Sequence, residues 1–472
     1  MLSLFERKAG SLSSRPRVLF ANPPWWLSPG RGRRPDGAEF DYWLAGVRAG
    51  SRWPFTLPTF CAPDNFRFGG YLPYPFFLGY AASYARAKTG ADVVLRDSIA
   101  MRESYDRFLA FVAAGRFDIM FFESATPSWE HDSALIRRIK ALHPDMKIAV
   151  TGPIASVAER VFKEAPVAAV IRGEYEKGSV RVIEGAEGLI DFDLLTEEEM
   201  NAAPIPHYDQ KIGHRYWDSN PKGQKPPHAQ VWSSRGCPYK CIFCVWPATM
   251  TGNDPDGTRK RSVRQYSADY MEAFLTELIG RFQYRSIYFD DDTFNLGDRH
   301  VLAMCGVMTK LGVPWSAMCR ADTIKPDTWK AMRDSGCFGV KIGFESGNQH
   351  VVDNIVNKRL DLEAARETVH LLKRLGMTVH GTFTYGLPGE TREQMLDTKR
   401  FIASLDFDSV QESGTAEIEG TPLHTLASAG ELKRYKAARL DEDYERDTDG
   451  ARKARRLVSQ LQIGPTAQPD SD

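Results

Sequence analysis

The 472-residue chain contains no Gly-x4-Gly-Lys-Ser/Thr, so the backbone cradle and lysine that grip a nucleotide's phosphates are missing and nucleotide hydrolysis has no support. It has no His-Glu-x-x-His pair for a catalytic zinc and no Ser-His-Asp arrangement for acyl transfer. No apolar run approaches the ~20 residues that cross a bilayer, so no membrane span is expected. Excess charge of either sign is also absent. The 61 basic residues meet 61 acidic ones, a balance that favours neither nucleic acid nor an anionic membrane as partner. The first residues, Met-Leu-Ser-Leu-Phe-Glu-Arg-Lys, lack the apolar core of a secretory signal, and a cytoplasmic protein is expected. Cysteine is scarce, at seven residues, which fits a reducing compartment and a metal site better than disulfides. Cys61, Cys305, Cys319 and Cys337 stand far apart and read as small buried side chains rather than a second ligand set.

The other three cysteines are concentrated. Cys237, Cys241 and Cys244 fall in Ser-Arg-Gly-Cys-Pro-Tyr-Lys-Cys-Ile-Phe-Cys, just after a strand-like run. Three thiolates so spaced can each hold one iron of a four-iron, four-sulfur (4Fe-4S) cluster, a group that ordinarily takes four cysteines. With no fourth cysteine nearby, one iron is left open to a substrate or cofactor, as a reaction centre requires. Zinc needs a fourth ligand, and neither a second pair nor His-x3-His follows. The C-x3-C-x2-C spacing, with Phe243 before the last cysteine, resembles the signature of the radical S-adenosylmethionine (SAM) enzymes. The resemblance implies that the three cysteines are the cluster ligands, that Phe243 lies at the cofactor, and that the open iron chelates the amino and carboxylate groups of SAM.

Ahead of this loop, strand-like runs alternate with helical patterns. Arg17–Asn22, Asp92–Asp97, Asp118–Glu123, Lys147–Thr151 and Val167–Arg172 are continuous and β-branched, the mark of a parallel sheet covered on both faces. Ligands of such sheets bind beyond the carboxyl ends of the strands. Those ends carry Ser124-Ala125-Thr126-Pro127-Ser128, Thr151-Gly152-Pro153 and Gly173-Glu174-Tyr175-Glu176, small enough for a large flat ligand to approach the backbone. Over residues 15–180 the pattern resembles the flavodoxin-like (Rossmann-like) cobalamin-binding domain that precedes many radical SAM barrels. The resemblance implies cobalamin contacts from Ser124, Thr126, Thr151, Gly152, Gly173 and Glu174. The Asp-x-His-x-x-Gly motif, which in some cobalamin proteins supplies a histidine to cobalt, is absent. An aromatic and proline-rich insertion, Trp25–Pro75, reads either as a cover for the cofactor or substrate or as packing between domains.

The expected organisation is an α/β chain: a cobalamin-binding-like domain over 1–183, a linker over 184–228, a radical SAM core over 229–430, and a charged segment with a polar tail over 431–472. Strand-like runs at 230–234, 285–290, 314–320, 338–344, 377–385 and 407–412 predict a partial (β/α)6 barrel. Polar residues cluster at the strand ends, where such barrels do their chemistry. They are the acidic run Asp290-Asp291-Asp292, then Arg320, then Glu345-Ser346. An arginine suits a carboxylate such as that of methionine, and equally a structural ion pair. By resemblance, Asp290 and Asp291 meet the SAM amino group, Arg320 its carboxylate, and Glu345 and Ser346 its ribose or methionine part. Gly386-Leu387-Pro388-Gly389-Glu390-Thr391 reads as a tight turn with Thr391 as helix N-cap.

The architecture resembles the cobalamin-dependent radical SAM methyltransferases. This implies cleavage of SAM to a 5′-deoxyadenosyl radical, hydrogen abstraction from a small-molecule substrate, and methyl transfer by way of cobalamin to an unactivated carbon. A flavodoxin- or ferredoxin-type reductant is implied as well. The alternative is the same architecture used for a cyclisation, rearrangement or oxidation without methyl transfer. Joint replacement of Cys237, Cys241 and Cys244 by alanine is expected to abolish 5′-deoxyadenosine formation, measured by chromatography. A triple variant that still cleaves SAM would refute the cluster assignment.

Overall fold

The computed structural model describes residues 15–33, 39–45, 71–101, 103–209, 211–218, 220–252, 258–415 and 417–428. Residues 46–70 of the aromatic insertion and the charged segment 431–472 lie outside them.

Six strands form the N-terminal sheet: β1 (Arg17–Asn22), β2 (Asp92–Asp97), β3 (Ile119–Glu123), β4 (Lys147–Thr151), β5 (Ala169–Ile171) and β6 (Gly188–Ile190). They are all parallel, in the order β2-β1-β3-β4-β5-β6. The apolar runs explain the burial. Val18, Leu19, Phe20 and Ala21 of β1 and Met120, Phe121 and Phe122 of β3 have almost no exposed surface, as expected where helices cover both faces. Strand order reverses between β1 and β3, which opens the usual ligand crevice beyond their carboxyl ends. The five predicted strands are present. The sixth, β6, falls in the stretch that composition marks as a linker. Its apolar content is only Leu189 and Ile190 between a glycine and acidic residues, too short for a periodic signal.

A second all-parallel sheet follows: β7 (His228–Val231), β8 (Ser286–Phe289), β9 (Trp315–Cys319), β10 (Cys337–Glu345), β11 (Thr378–Tyr385) and β12 (Ser409–Gly414). Its order is sequential and unclosed, which makes the predicted partial barrel. Intervening helices start where expected. Ser267 caps Ala268–Gly280 through the Tyr270 N–H at 3.2 Å, and Thr391 caps Arg392–Ala403 in a capping box with Gln394. The helix α1 (Phe76–Thr89) is buried from Phe76 to Ala85 because it lies between the two sheets rather than on a surface. Phe76 stacks on Trp232 of the barrel at 4.3 Å, and Phe77 meets Trp246 at 5.2 Å.

The chain between β6 and β7 also packs rather than merely connects. Tyr208 stacks on Tyr74 at 4.4 Å and donates to the Gln230 carbonyl at 2.8 Å. Further on, Asp218 reaches into the barrel and pairs with the buried Lys341 ammonium. The carbonyl of Lys222 accepts from Thr378 at the beginning of β11, so this segment closes the end of the barrel opposite the cysteine loop. Nearby His228 and His380 are pushed down to about 3, by burial first and then by the Lys341 charge, and both stay neutral. Lys341→Met is expected to cost about 3–5 kcal/mol in a urea melt, because it strands a buried carboxylate. Adding Asp218→Asn is expected to recover most of that loss.

Candidate functional site

The cysteine loop leaves β7 and is anchored at once by carboxylates from the end of β8. Asp291 is fully buried and accepts from the Ser233 N–H at 3.1 Å, the Ser233 hydroxyl at 2.9 Å and the Ser234 hydroxyl at 2.6 Å. Asp292 accepts from the Gly236 N–H at 2.8 Å. Gly236 has φ +91°, which lets the chain turn sharply into Cys237. Acceptors for buried N–H groups are obligatory in such a turn, and the acidic run supplies them. Asp290 is buried beside them, its N–H bonded to the Val231 carbonyl at 2.8 Å.

The far side of the loop is held by apolar contact. Phe243 is buried against Val351, Val356, Leu387 and Leu423. The Ile242 N–H donates to the Val356 carbonyl and its own carbonyl accepts from Leu423, both at 2.9 Å. A third brace is polar, two of its three side chains being arginines. Arg320 lies 3.5 Å over the Tyr239 ring, Arg261 donates to the Tyr239 carbonyl, and Asn357 donates to the Lys240 carbonyl at 3.3 Å. Cys237, Cys241 and Cys244 are half-buried along this loop, and Cys237 Sγ lies 3.6 Å from the Thr293 hydroxyl.

Burial pushes the Cys237 thiol up to about 11, with Asp292 and Cys241 adding to the rise. Burial also raises Cys241, and it raises Cys244 far above the thiol range with help from its two companions. Three mutually close thiols in such a place become thiolates only when positive charge joins them, and iron supplies it. Among the described residues no three His, Cys, Asp or Glu side chains converge on a single ion. A four-iron cluster binds one thiolate per iron, so its ligands ring a cube instead of meeting at a point, and the donor set fits it.

The other predicted SAM contacts stand around the loop, mostly with partners. Arg320 forks onto Asp322 at 2.9 and 2.8 Å and donates to the Lys358 carbonyl at 3.2 Å. Its guanidinium is thereby committed to protein groups. Glu345 sits at a bulge in β10 with φ +69° and pairs with buried Lys358 at 2.9 Å. Ser346 shares a hydrogen bond with Thr398 at 3.0 Å and accepts from the Asn348 N–H at 3.1 Å. Lys358 carries no motif in the sequence, yet its charge and those of Glu345 and Arg320 act on Cys241.

At the edge of the first sheet, Ser124 donates to buried Asp132 at 2.7 Å and Thr151 lies 3.4 Å from the Phe122 carbonyl. The room beside the two glycines is taken by protein. A Cβ on Gly152 (φ +93°) would sit 2.2 Å from the Ser124 carbonyl oxygen, and one on Gly173 (φ +77°) would sit 2.5 Å from Phe192. Glu174 is fully engaged by Arg264 and Arg235. Thr126 keeps a buried hydroxyl with no protein partner at this edge, so a polar ligand group has a place to bond there.

Residues 233–402 match the family model of the radical SAM superfamily. This segment is a radical SAM domain. An uncharacterized methyltransferase of Pyrococcus horikoshii is 26% identical over 381 residues, 76% of this chain and 79% of that protein. The anaerobic magnesium-protoporphyrin IX monomethyl ester cyclase of Rubrivivax gelatinosus is 23% identical over 361 residues, 69% of this chain and 61% of that protein. The radical SAM methyltransferase TsrM of Kitasatospora setae, solved with cobalamin and a [4Fe-4S] cluster, shares the fold. Its TM-score is 0.62 at 14% identity, over 75% of this chain and 72% of that one. The radical SAM domain here follows a parallel-sheet domain in the same chain.

Behind the cysteine loop, Glu390 caps the Gly386 and Leu387 N–H groups at 2.9 and 3.1 Å, and Leu387 packs on Phe243. Burial raises this carboxyl from 4.5 to about 7. The folded chain therefore holds the proton more tightly than the unfolded one. The associated stability is fully present below the unfolded pKa and is lost as pH climbs through about 7. Between about pH 5 and pH 8, Glu390→Gln is expected to gain roughly 2 kcal/mol relative to wild type in chemical melts.

Proposed function

We propose that the protein is a cobalamin-dependent radical SAM enzyme that methylates an unactivated carbon of a small molecule. The observation that carries this reading is the placement of the cysteine loop at the seam between barrel and sheet. Trp232, before the loop, stacks on Phe76 of the N-terminal domain, and Trp246, after it, meets Phe77. A radical generated at the loop and a methyl carrier on the sheet would then meet across this seam. The P. horikoshii relative's description as a methyltransferase and the cofactors of TsrM support the same reading.

When bound, the cluster supplies the electron that splits SAM, and cobalamin supplies a carrier for the methyl group. Cys237, Cys241 and Cys244 would hold the cluster, each through its own sulfur. Asp291 and Asp292 keep the approach to Cys237 in place by satisfying its backbone and serine donors. Phe243 and the buried ion pair of Lys358 with Glu345 shield the loop from water and set the charge around Cys241. We assign Asp290, Arg320 and Ser346, with these residues, to the wall of the SAM pocket. At the sheet edge, Thr126 would hold a polar group of the corrin. Ser124, Thr151, Gly152, Gly173 and Glu174 frame that edge. With no Asp-x-His-x-x-Gly motif, no histidine from it reaches the metal.

An electron donor of flavodoxin or ferredoxin type and a reducing, cytoplasmic setting complete the proposal. Among the described residues no helix is long and apolar enough to cross a membrane. A reaction without methyl transfer is the second reading, favoured by the likeness to the R. gelatinosus cyclase. Anaerobic reconstitution with iron, sulfide and hydroxocobalamin, followed by incubation with labelled SAM and a metabolite extract, separates the two. Methyl transfer yields S-adenosylhomocysteine together with 5′-deoxyadenosine. A cobalamin-loaded protein that releases 5′-deoxyadenosine alone would assign the chain to the second reading.

A further inference from the structure

Arg235, two residues before Cys237, crosses the seam into the N-terminal domain. Its guanidinium bonds Glu176 at 2.7 Å and lies 3.3 Å from Glu174. It also donates to the Tyr266 hydroxyl at 2.8 Å and sits 4.6 Å over the Tyr80 ring. Arg264 faces Arg235 across a two-residue antiparallel ribbon and grips both oxygens of Glu174, at 3.0 and 2.5 Å. All four side chains are buried. Glu174 and Glu176 follow β5, so they belong to the carboxyl edge of the first sheet. The same short stretch, Ser233 to Gly236, is bonded to Asp291 and Asp292 at the barrel strand end. One peptide segment therefore carries fixed bonds to both domains immediately before the first cluster cysteine.

We propose that Arg235 is a positioning residue which, with Arg264, Glu174 and Glu176, sets the distance and angle between the cysteine loop and the edge of the first sheet. The inference rests on the two-cofactor reading above and adds how the two sites are held in register. Planar guanidinium forks donate to carboxylates in few orientations, and a lysine does not reproduce them. A break in the network strands a buried charge, so the seam has few alternative geometries. A radical formed on one side of the seam and quenched by a methyl group from the other is sensitive to such geometry. A misplacement of about 1 Å can cost on the order of a hundredfold in rate.

The test compares wild type with Arg235→Lys and Glu176→Gln, each reconstituted with cluster and hydroxocobalamin. The first readout is the ratio of 5′-deoxyadenosine to S-adenosylhomocysteine. Cluster content and SAM cleavage are expected to persist in the variants while the ratio rises by about tenfold or more, since cleavage needs only the barrel. Cleavage and methyl transfer falling in step, or an unchanged ratio, would overturn the proposal. The second readout is hydrogen exchange over residues 172–176 as SAM is added to the cluster-loaded wild type, where slower exchange is expected. This slowing should vanish in Arg235→Lys while persisting over residues 286–293. Exchange at 172–176 that ignores SAM in wild type sinks the inference even if neither variant folds. A wild type that forms 5′-deoxyadenosine without S-adenosylhomocysteine refutes methyl transfer alone, and the exchange data then decide the inference.

Discussion

Four buried charges at the seam of two sheets constrain everything around them. Arg235 and Arg264 come from the barrel side, Glu174 and Glu176 from the N-terminal sheet, and their formal charges cancel. Burying any one of them alone would be prohibitive, so the two domains meet in an arrangement that pairs each charge with one of opposite sign. The aromatic layer of Phe76, Phe77, Tyr80, Trp232 and Trp246 closes over that network. Helix α1 belongs to both domains for this reason, and its nearly all-apolar surface is a consequence of having no solvent side over Phe76–Ala85.

From that seam the cysteine loop is suspended between three kinds of anchor. Carboxylates of the Asp290–Asp292 run take its leading N–H groups, an apolar plug around Phe243 takes its trailing end, and Arg320, Arg261 and Asn357 brace the corner at Tyr239 and Lys240. Each anchor suits the local need. Backbone donors in a tight turn demand acceptors, an aromatic side chain demands apolar neighbours, and carbonyls at a bend demand donors. The thiols themselves are left in a place where they resist ionisation. That environment is poor for a free cysteine and suitable for one that a cationic cluster will claim.

Much of this was legible in the residues. Apolar runs located five of the six strands of the first sheet and all six of the barrel, and Thr391 was readable as an N-cap. The cysteine spacing located the cluster loop. The chemistry of individual strand-end residues was less legible. Arg320, expected to meet a carboxylate of SAM, forks onto Asp322, two residues away. Glu174 serves the seam instead of lying open at the sheet edge, and the small residues Gly152 and Gly173 make room for Ser124 and Phe192. Lys358 sits in a segment whose composition is unremarkable, and Arg235 is overshadowed by the cysteine run it belongs to. A charge in a sequence announces that a partner is required, but the partner's identity depends on which strand ends are brought together.

The sequence by itself determined the kind of protein this is. A run of three cysteines short of a fourth, a set of polar strand ends, and two blocks of alternating strand and helix are local properties, carried by spacing and periodicity. Only the tertiary structure decided how the blocks are joined. The strand β6 was hidden because three residues hold no period, and the closure of the barrel by Asp218 and Lys341 was hidden because its partners lie 123 positions apart. The ion-pair network at Arg235 was hidden for the same reason. Burial turns a charge that would be solvated in an open chain into a geometric constraint, and burial is a property of the assembled fold.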